Sequence, residues 1–302
     1  MRSKTICAVI LVSAILGQSI YAQKDDFPVL TGPYLGQKTP WASSLSGQTA
    51  TQEPLVLTYV ANMGVLVSSG DSKVMIDCLF DKPKLYRVPT LETLDSMMKG
   101  EAPFDSVDLV LVTHKHRDHF DAALAVRYLE SRPEPVLVAP SDAVDEMRNV
   151  ASDWSRIAPR IISVDLEVGE NVKRDVARIP LTIVRTLHGN EKAPMNLMYF
   201  IEVNGWRVFH QGDWMGKPDD FLKFGLGTVP IDLAVVGYAW PLSPNPSYPR
   251  FLQEVLRPNH IALGHLTIKL ESVADSKIDK VRQYYKDIFV LLPGMPAKLF
   301  WK

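Results

Sequence analysis

From residue 55 onward, short apolar runs alternate with polar turns, and most runs last four to eight residues, the length of a strand rather than a helix. Runs at about 55–60, 64–69 and 73–77 predict three strands in close succession, and 107–112 predicts a buried one. Further strands are expected at 135–139, 161–165, 172–176, 181–187, 196–203, 206–209, 231–236 and just before His265. Helical spacing appears in three places. Leu91–Lys99 forms the regular part of an insertion at 81–104; Asp121–Ser131 sets Ala122, Ala123, Val126 and Leu129 on one face; and Asp142–Val150 is a short helix.

The second half echoes the first. Asn196–Val203, a turn at Gly205 and Trp206–Phe209 repeat the pattern of Asn62–Val67 and Val74–Asp77. Two β-rich halves interrupted by helices predict an α/β protein, a four-layer αββα sandwich with internal pseudo-symmetry. Short-period repeats are absent, which excludes a solenoid. No composition break marks a second domain, so residues 55–302 are expected to form one.

The densest chemistry follows the 107–112 run. Thr113-His114-Lys115-His116-Arg117-Asp118-His119-Phe120 packs four potential metal ligands into six residues, on the turn leaving a strand. Three imidazoles and a carboxylate make a poor core and suit a borderline cation such as zinc. Three later residues share the same grammar of apolar strand, glycine and turn: His188 beside Gly189, Asp213 after Gly212, and His265 after Gly264.

HxHxDH, then a lone His, then Gly-Asp, then a late His resembles the metallo-β-lactamase-fold hydrolases, over about Leu55–Leu270. Tyr59–Phe80 and Val110–Asp121 are similar to the branch containing ascorbate-6-phosphate lactonase and N-acyl phosphatidylethanolamine phospholipase D. Two positions depart from that branch: Cys78 follows Asp77 where proline is common, and Trp214 follows Asp213 where a small hydroxyl residue is common. The resemblance implies that His114, His116 and His188 hold one metal, and Asp118, His119 and His265 a second. Asp213 would bridge the two, with a hydroxide between them, so that Asp118 and Asp213 act catalytically. Zinc suits this His/Asp set by affinity order, and manganese or iron also accept N/O ligands. Neither GxSxG, a P-loop nor a dinucleotide fingerprint competes with this reading.

Other residues carry weaker expectations. Asp77 ends a strand and is a candidate to orient a ligand histidine. The Pro-rich aromatic loop Tyr238–Pro249, with Tyr238 and Trp240, is a candidate pocket wall, as is Trp214. His210 and His260 read as structural. Lys115 and Arg117 read as solvated or paired with acids, with contact to an anionic substrate as the alternative.

Composition narrows the function. A basic start, an apolar run over Thr5–Gly17 and Ile20-Tyr21-Ala22 predict a secretory leader at 1–22, cleaved after Ala22 into the periplasm or medium. That run is short for a stable membrane span. Residues 23–54, rich in Gly, Pro, Ser, Thr and Gln, read as an irregular arm. Of 33 basic and 34 acidic residues, cleavage removes Arg2 and Lys4, which leaves 31 against 34, a charge of −3. An acidic chain lacks the electrostatic footprint of a nucleic-acid enzyme, so the expected substrate is a small molecule or lipid-like. Cleavage also leaves Cys78 as the lone cysteine, without an intrachain disulfide partner. The expected function is an exported dinuclear hydrolase of an ester, lactone or phosphodiester. A β-lactamase, or a non-catalytic metal-binding sensor with the same fold, is the alternative.

Overall fold

The computed structural model describes residues 53–302 except 83, 190–191, 218–219 and 225–229. The expected leader and nearly all of the 23–54 arm lie outside the described residues. The opening apolar runs form an antiparallel meander, β1 (Leu55–Ala61), β2 (Gly64–Ser69) and β3 (Ser72–Ile76). Three strands then add in parallel beside β3: β4 (Leu109–Leu111), β5 (Val136–Pro140) and β6 (Ile161–Val164). The crossovers are α1 (Leu91–Lys99), α2 (Ala122–Ser131) and α3 (Ser141–Val150).

The second half repeats this plan. β7 (Asn171–Val176), β8 (Ile179–Thr186), β9 (Asn196–Val203) and β10 (Trp206–His210) form a meander. β11 (Leu233–Gly237), β12 (His260–Gly264) and β13 (Ile288–Val290) continue it in parallel. The connections carry α4 (Asp220–Lys223), α5 (Ser247–Arg250) with a π-helical turn at Phe251–Leu256, and α6 (Ala274–Arg282). A last strand, β14 (Lys298–Phe300), pairs with β1. The two sheets therefore run β14-β1-β2-β3-β4-β5-β6 and β7-β8-β9-β10-β11-β12-β13, the same order of antiparallel and parallel pairs.

Alternation along the strands builds four layers. Val65 and Val67 of β2 pack between the sheets with Leu181, Ile183, Tyr199 and Val208, whereas Leu66 faces outward with Met97, Leu124 and Met147 of the helices. The second sheet's outer side chains, such as Val184, Phe209 and Leu263, pack with Phe251, Leu252 and Ile278. The αββα sandwich and its pseudo-symmetry are as the hydrophobic pattern predicts.

The deviations have local causes. The strand before the HxHxDH motif is only Leu109–Leu111, and at its start the Asp108 carboxylate accepts the Lys73 N–H (2.9 Å). The loop expected through Pro249 gives way at Ser247 to α5, which tolerates Pro249 in its first turn because N–H groups there lack an intrahelical acceptor. Strands β13 and β14 are three residues each, too short to show a period of two. No helix of the described residues is long and apolar enough to cross a membrane.

Candidate metal centre

Strands β8, β10 and β12 share a direction, so their carboxyl ends meet on one edge of the second sheet, as those of β3 and β4 do on the first. The turn after β4 is tight: the His119 and Phe120 N–H groups both donate to the His116 carbonyl at 2.9 Å. The Asp121 side chain then caps α2 by accepting the Leu124 N–H (3.0 Å), which fixes where the motif ends.

All seven residues singled out as metal ligands come together. Ligand atoms of His114, His116 and His188 form one group, and those of Asp118, His119, Asp213 and His265 another, each within 4.8 Å. The two groups touch through Asp213. Its Oδ2 lies 3.0 Å from His265 Nε2, 3.6 Å from His114 Nε2 and 3.7 Å from His188 Nε2, and its Oδ1 lies 3.3 Å from His119 Nε2. Asp118 Oδ2 lies 3.4 Å from His265 Nε2.

The electrostatics ask for a cation. Burial would raise the Asp213 carboxyl, but the His119 charge and hydrogen bonds from His119 and His265 hold it well below the usual carboxylate range. Burial works against a charge on His265, yet Asp118 and Asp213 push its pKa up to about 9. His119 likewise rises despite burial, because Asp213 and Asp77 face it. His114 goes the other way, kept neutral by burial and by its imidazole neighbours. The buried ring nitrogens His114 Nε2 and His188 Nδ1 have no hydrogen-bond partner, an arrangement that is costly unless something else satisfies them. Divalent cations supply the charge that the carboxylates otherwise draw from protons, and acceptors for these nitrogens. The residues present fit such ions.

A set of positioning side chains holds the ligands. Asp77, left-handed at φ 50, accepts the Thr113 N–H (2.8 Å), the Thr113 hydroxyl (2.6 Å) and His119 Nδ1 (2.7 Å), leaving His119 Nε2 aimed at the centre. Asp77→Ala leaves those buried donors without an acceptor. It is expected to weaken metal binding by about 10–100-fold in a competition titration, with a stability loss of about 2–3 kcal/mol.

The Gly-Asp turn after β10 has its own brace. Asn196 Oδ1 accepts the Asp213 N–H (2.9 Å), and Asn196 Nδ2 donates to Thr186 Oγ1 (2.7 Å) at the end of β8. Gly212 sits at φ 58, and a Cβ there would meet Asn196 Oδ1 at 2.5 Å and Thr113 Cβ at 2.9 Å, so only glycine allows this approach. Sequence reading missed Asn196, and also Asn62, whose Nδ2 donates to the Asp118 carbonyl at 2.9 Å. The one available signal was their shared place at the start of the echoed hairpins.

An aromatic cleft of about 590 Å³ opens over the centre, lined in part by His116, Asp118, His188, Asp213 and His265. Trp214, Tyr238 and Trp240 are among the residues that wall it. The Tyr238 hydroxyl donates to the Ala274 carbonyl (3.1 Å), so that residue presents its body rather than a polar tip. Tyr86, from the 81–104 insertion, also lines the cleft with its ring 4.5 Å from that of His265 and was not foreseen. Hydrogen bonding between the Ile268 N–H and the Leu85 carbonyl, and from Arg87 to Glu271, pins that segment. The remaining histidines are structural: His210 bonds to the Met63 carbonyl (3.0 Å) and His260 to Asp287 (2.9 Å).

Comparison with known proteins agrees with this geometry. Residues 72–266 match the family described as "Beta-lactamase superfamily domain". A curated metal-dependent hydrolase of Thermococcus onnurineus (strain NA1) is 24% identical over 193 residues, covering 62% of this chain and 80% of that protein. Igni18, a metallo hydrolase of Ignicoccus hospitalis KIN4/I, superposes with a TM-score of 0.54 at 18% identity, over 82% of this chain and 98% of that one. The CmlA beta-hydroxylase superposes at 0.51 with 12% identity, over 84% of this chain and 55% of that one, so the fold alone does not select a reaction. The family match spans both the HxHxDH turn and His265, and this chain belongs to the beta-lactamase superfamily domain family, with the metallo-β-lactamase fold.

Proposed function

We propose that this metal-dependent hydrolase holds two divalent cations and cleaves an ester, lactone or phosphodiester bond in a small or lipid-like substrate. One observation carries the reading: two ligand groups, three and four residues strong, meet at Asp213 beneath an aromatic cleft. A mononuclear site needs only three or four protein ligands. When bound, such cations polarise the scissile oxygen and bring the pKa of water down to about 7. Zinc is favoured by the His/Asp donor set, with manganese or iron as the other fits.

The chain's own residues supply position and exclusion. Asp77 fixes the direction of His119, and Asn196 fixes the turn that presents Asp213. Trp240 packs on Trp214 (ring centroids 5.4 Å apart) and Tyr248 (5.2 Å), a wall suited to the apolar part of a substrate rather than to a phosphate backbone. Trp240→Ala is expected to raise KM about tenfold and change kcat by less than about twofold, as for lost uniform binding. Steady-state kinetics, run beside a thermal melt of the variant, checks this.

A hydrolysis panel of aryl esters, lactones, phosphodiesters and β-lactams tests the proposed class. Metal-dependent turnover of an ester, lactone or phosphodiester supports it. Turnover confined to β-lactams favours the β-lactamase alternative, and turnover of none by the metal-loaded protein favours a sensor.

A further inference from the structure

A second cleft, of about 550 Å³, adjoins the aromatic one on the far side of His116, which lines both. Its character is different: Lys82, Lys115 and Arg117 contribute three cations, against Asp121 and Glu146. Two of the cations are committed. Lys82 pairs with Asp121 at 2.6 Å and Lys115 with Glu146 at 3.1 Å. Arg117 is exposed and makes no hydrogen bond or ion pair among the described residues. Each lysine also has a second acid beside it, Asp81 at 3.5 Å from Lys82 and Asp142 at 3.8 Å from Lys115, so the Arg117 guanidinium is the one cation lining the cleft that has no acid partner among the described residues.

Position makes that charge informative. Arg117 sits between His116 and Asp118 on the turn that carries the candidate ligands, and the His116 carbonyl, accepting the His119 and Phe120 N–H groups, fixes that turn. A guanidinium is planar, always charged and forked, which matches a carboxylate or phosphate group. On the other side of His116, Trp240, Tyr238 and Tyr86 offer an apolar surface. A substrate spanning the centre would therefore meet an aromatic wall at one end and a lone cation at the other.

We propose that Arg117 is a specificity residue that anchors an anionic oxyacid group, carboxylate or phosphate, of an amphiphilic substrate whose apolar end lies in the aromatic cleft. This rests on the hydrolase reading of the same site and adds the substrate's chemical class. The cleft between Lys82, Lys115 and Arg117 receives the acid, and the bond to be cleaved lies between the two ends, over the ligand groups. Because Arg117 is exposed and unbonded, its removal leaves the fold and the ligands in place.

Calorimetric binding to the full-length purified protein tests it without requiring turnover. The probes are phenylbutyrate, phenylpropyl phosphate and neutral phenylbutyramide, each titrated into the metal-loaded and the chelator-treated protein. Arg117→Ala should weaken the acid probes about fivefold and phenylbutyramide by less than about twofold, a difference that shrinks as salt rises. Arg117→Lys should recover part of the loss. A greater loss for one acid than the other identifies carboxylate or phosphate as the group recognised. Equal affinity of wild type and Arg117→Ala for both acids overturns the proposal and places the acid on the metal centre alone. Equal weakening of all three probes overturns it as well, by giving Arg117 a structural role. Failure of the hydrolase reading shows separately, as absent metal and absent turnover with this charge preference intact.

Discussion

Asp213→Ala is expected to lower kcat/KM at least about 100-fold more than His210→Ala, although the two residues are three apart on one turn. The difference follows from what each side chain touches. Asp213 places one carboxylate within 3.7 Å of ring nitrogens of His114, His119, His188 and His265, and so ties the two ligand groups together. Without it, His114 and His188 lose the carboxylate beside them, Asp118 and Asp77 remain only at His265 and His119, and cations are held by the weaker remainder. His210 is buried too, and burial pushes its pKa down, so the ring is neutral. Its Nδ1 accepts the Gly212 N–H (3.2 Å), which leaves Nε2 to donate to the Met63 carbonyl. Alanine there costs packing and two hydrogen bonds but removes no ligand. Kinetics of both variants, with metal content measured on the same samples, checks the ratio. Similar losses would make Asp213 a brace rather than a ligand.

Chelation is expected to abolish hydrolysis, and added zinc to restore most of it. The ligand groups are interlocked with the fold: Asp77 accepts from Thr113 and His119, and Asn196 joins β8, β9 and the Asp213 turn. The ligand frame therefore persists when cations leave, and the stripped protein should remain folded by circular dichroism. The protons then return to His119 and His265, whose pKa values lie above the ordinary histidine range. Rebinding must expel those protons, so metal affinity rises with pH and falls as pH drops through about 9 for His265. Activity that survives complete removal of metal would place the chemistry elsewhere.

Much of this was legible before the structure. A strand that is apolar on both faces, such as Leu109–Leu111, announces itself, and so does a turn carrying four ligands after it. Helix α1 was legible to the residue, because Thr90 caps its start and Gly100, at φ 66, ends it. A glycine beside each at a strand's end marked His188, Asp213 and His265 as candidates, and only the family pattern joined them into one ligand set. The braces left no signal beyond the place of Asn62 and Asn196 at the start of the echoed hairpins. Asn62, Asn196 and Gln211 are ordinary polar residues until the sheets close and bring Asp118, Asp213 and Gly237 against them. Tyr86 was hidden for the same reason: its place depends on the antiparallel bridge it makes with Thr267, which lies beyond β12 in the other half of the chain.

The central claim is a pair of cations held by two touching ligand groups. Elemental analysis of the purified protein, with Asp118→Ala beside it, tests that most directly. Two divalent ions per wild-type chain, with a lower count in Asp118→Ala, is the predicted result. One tightly bound ion per chain, unchanged by Asp118→Ala, would contradict it.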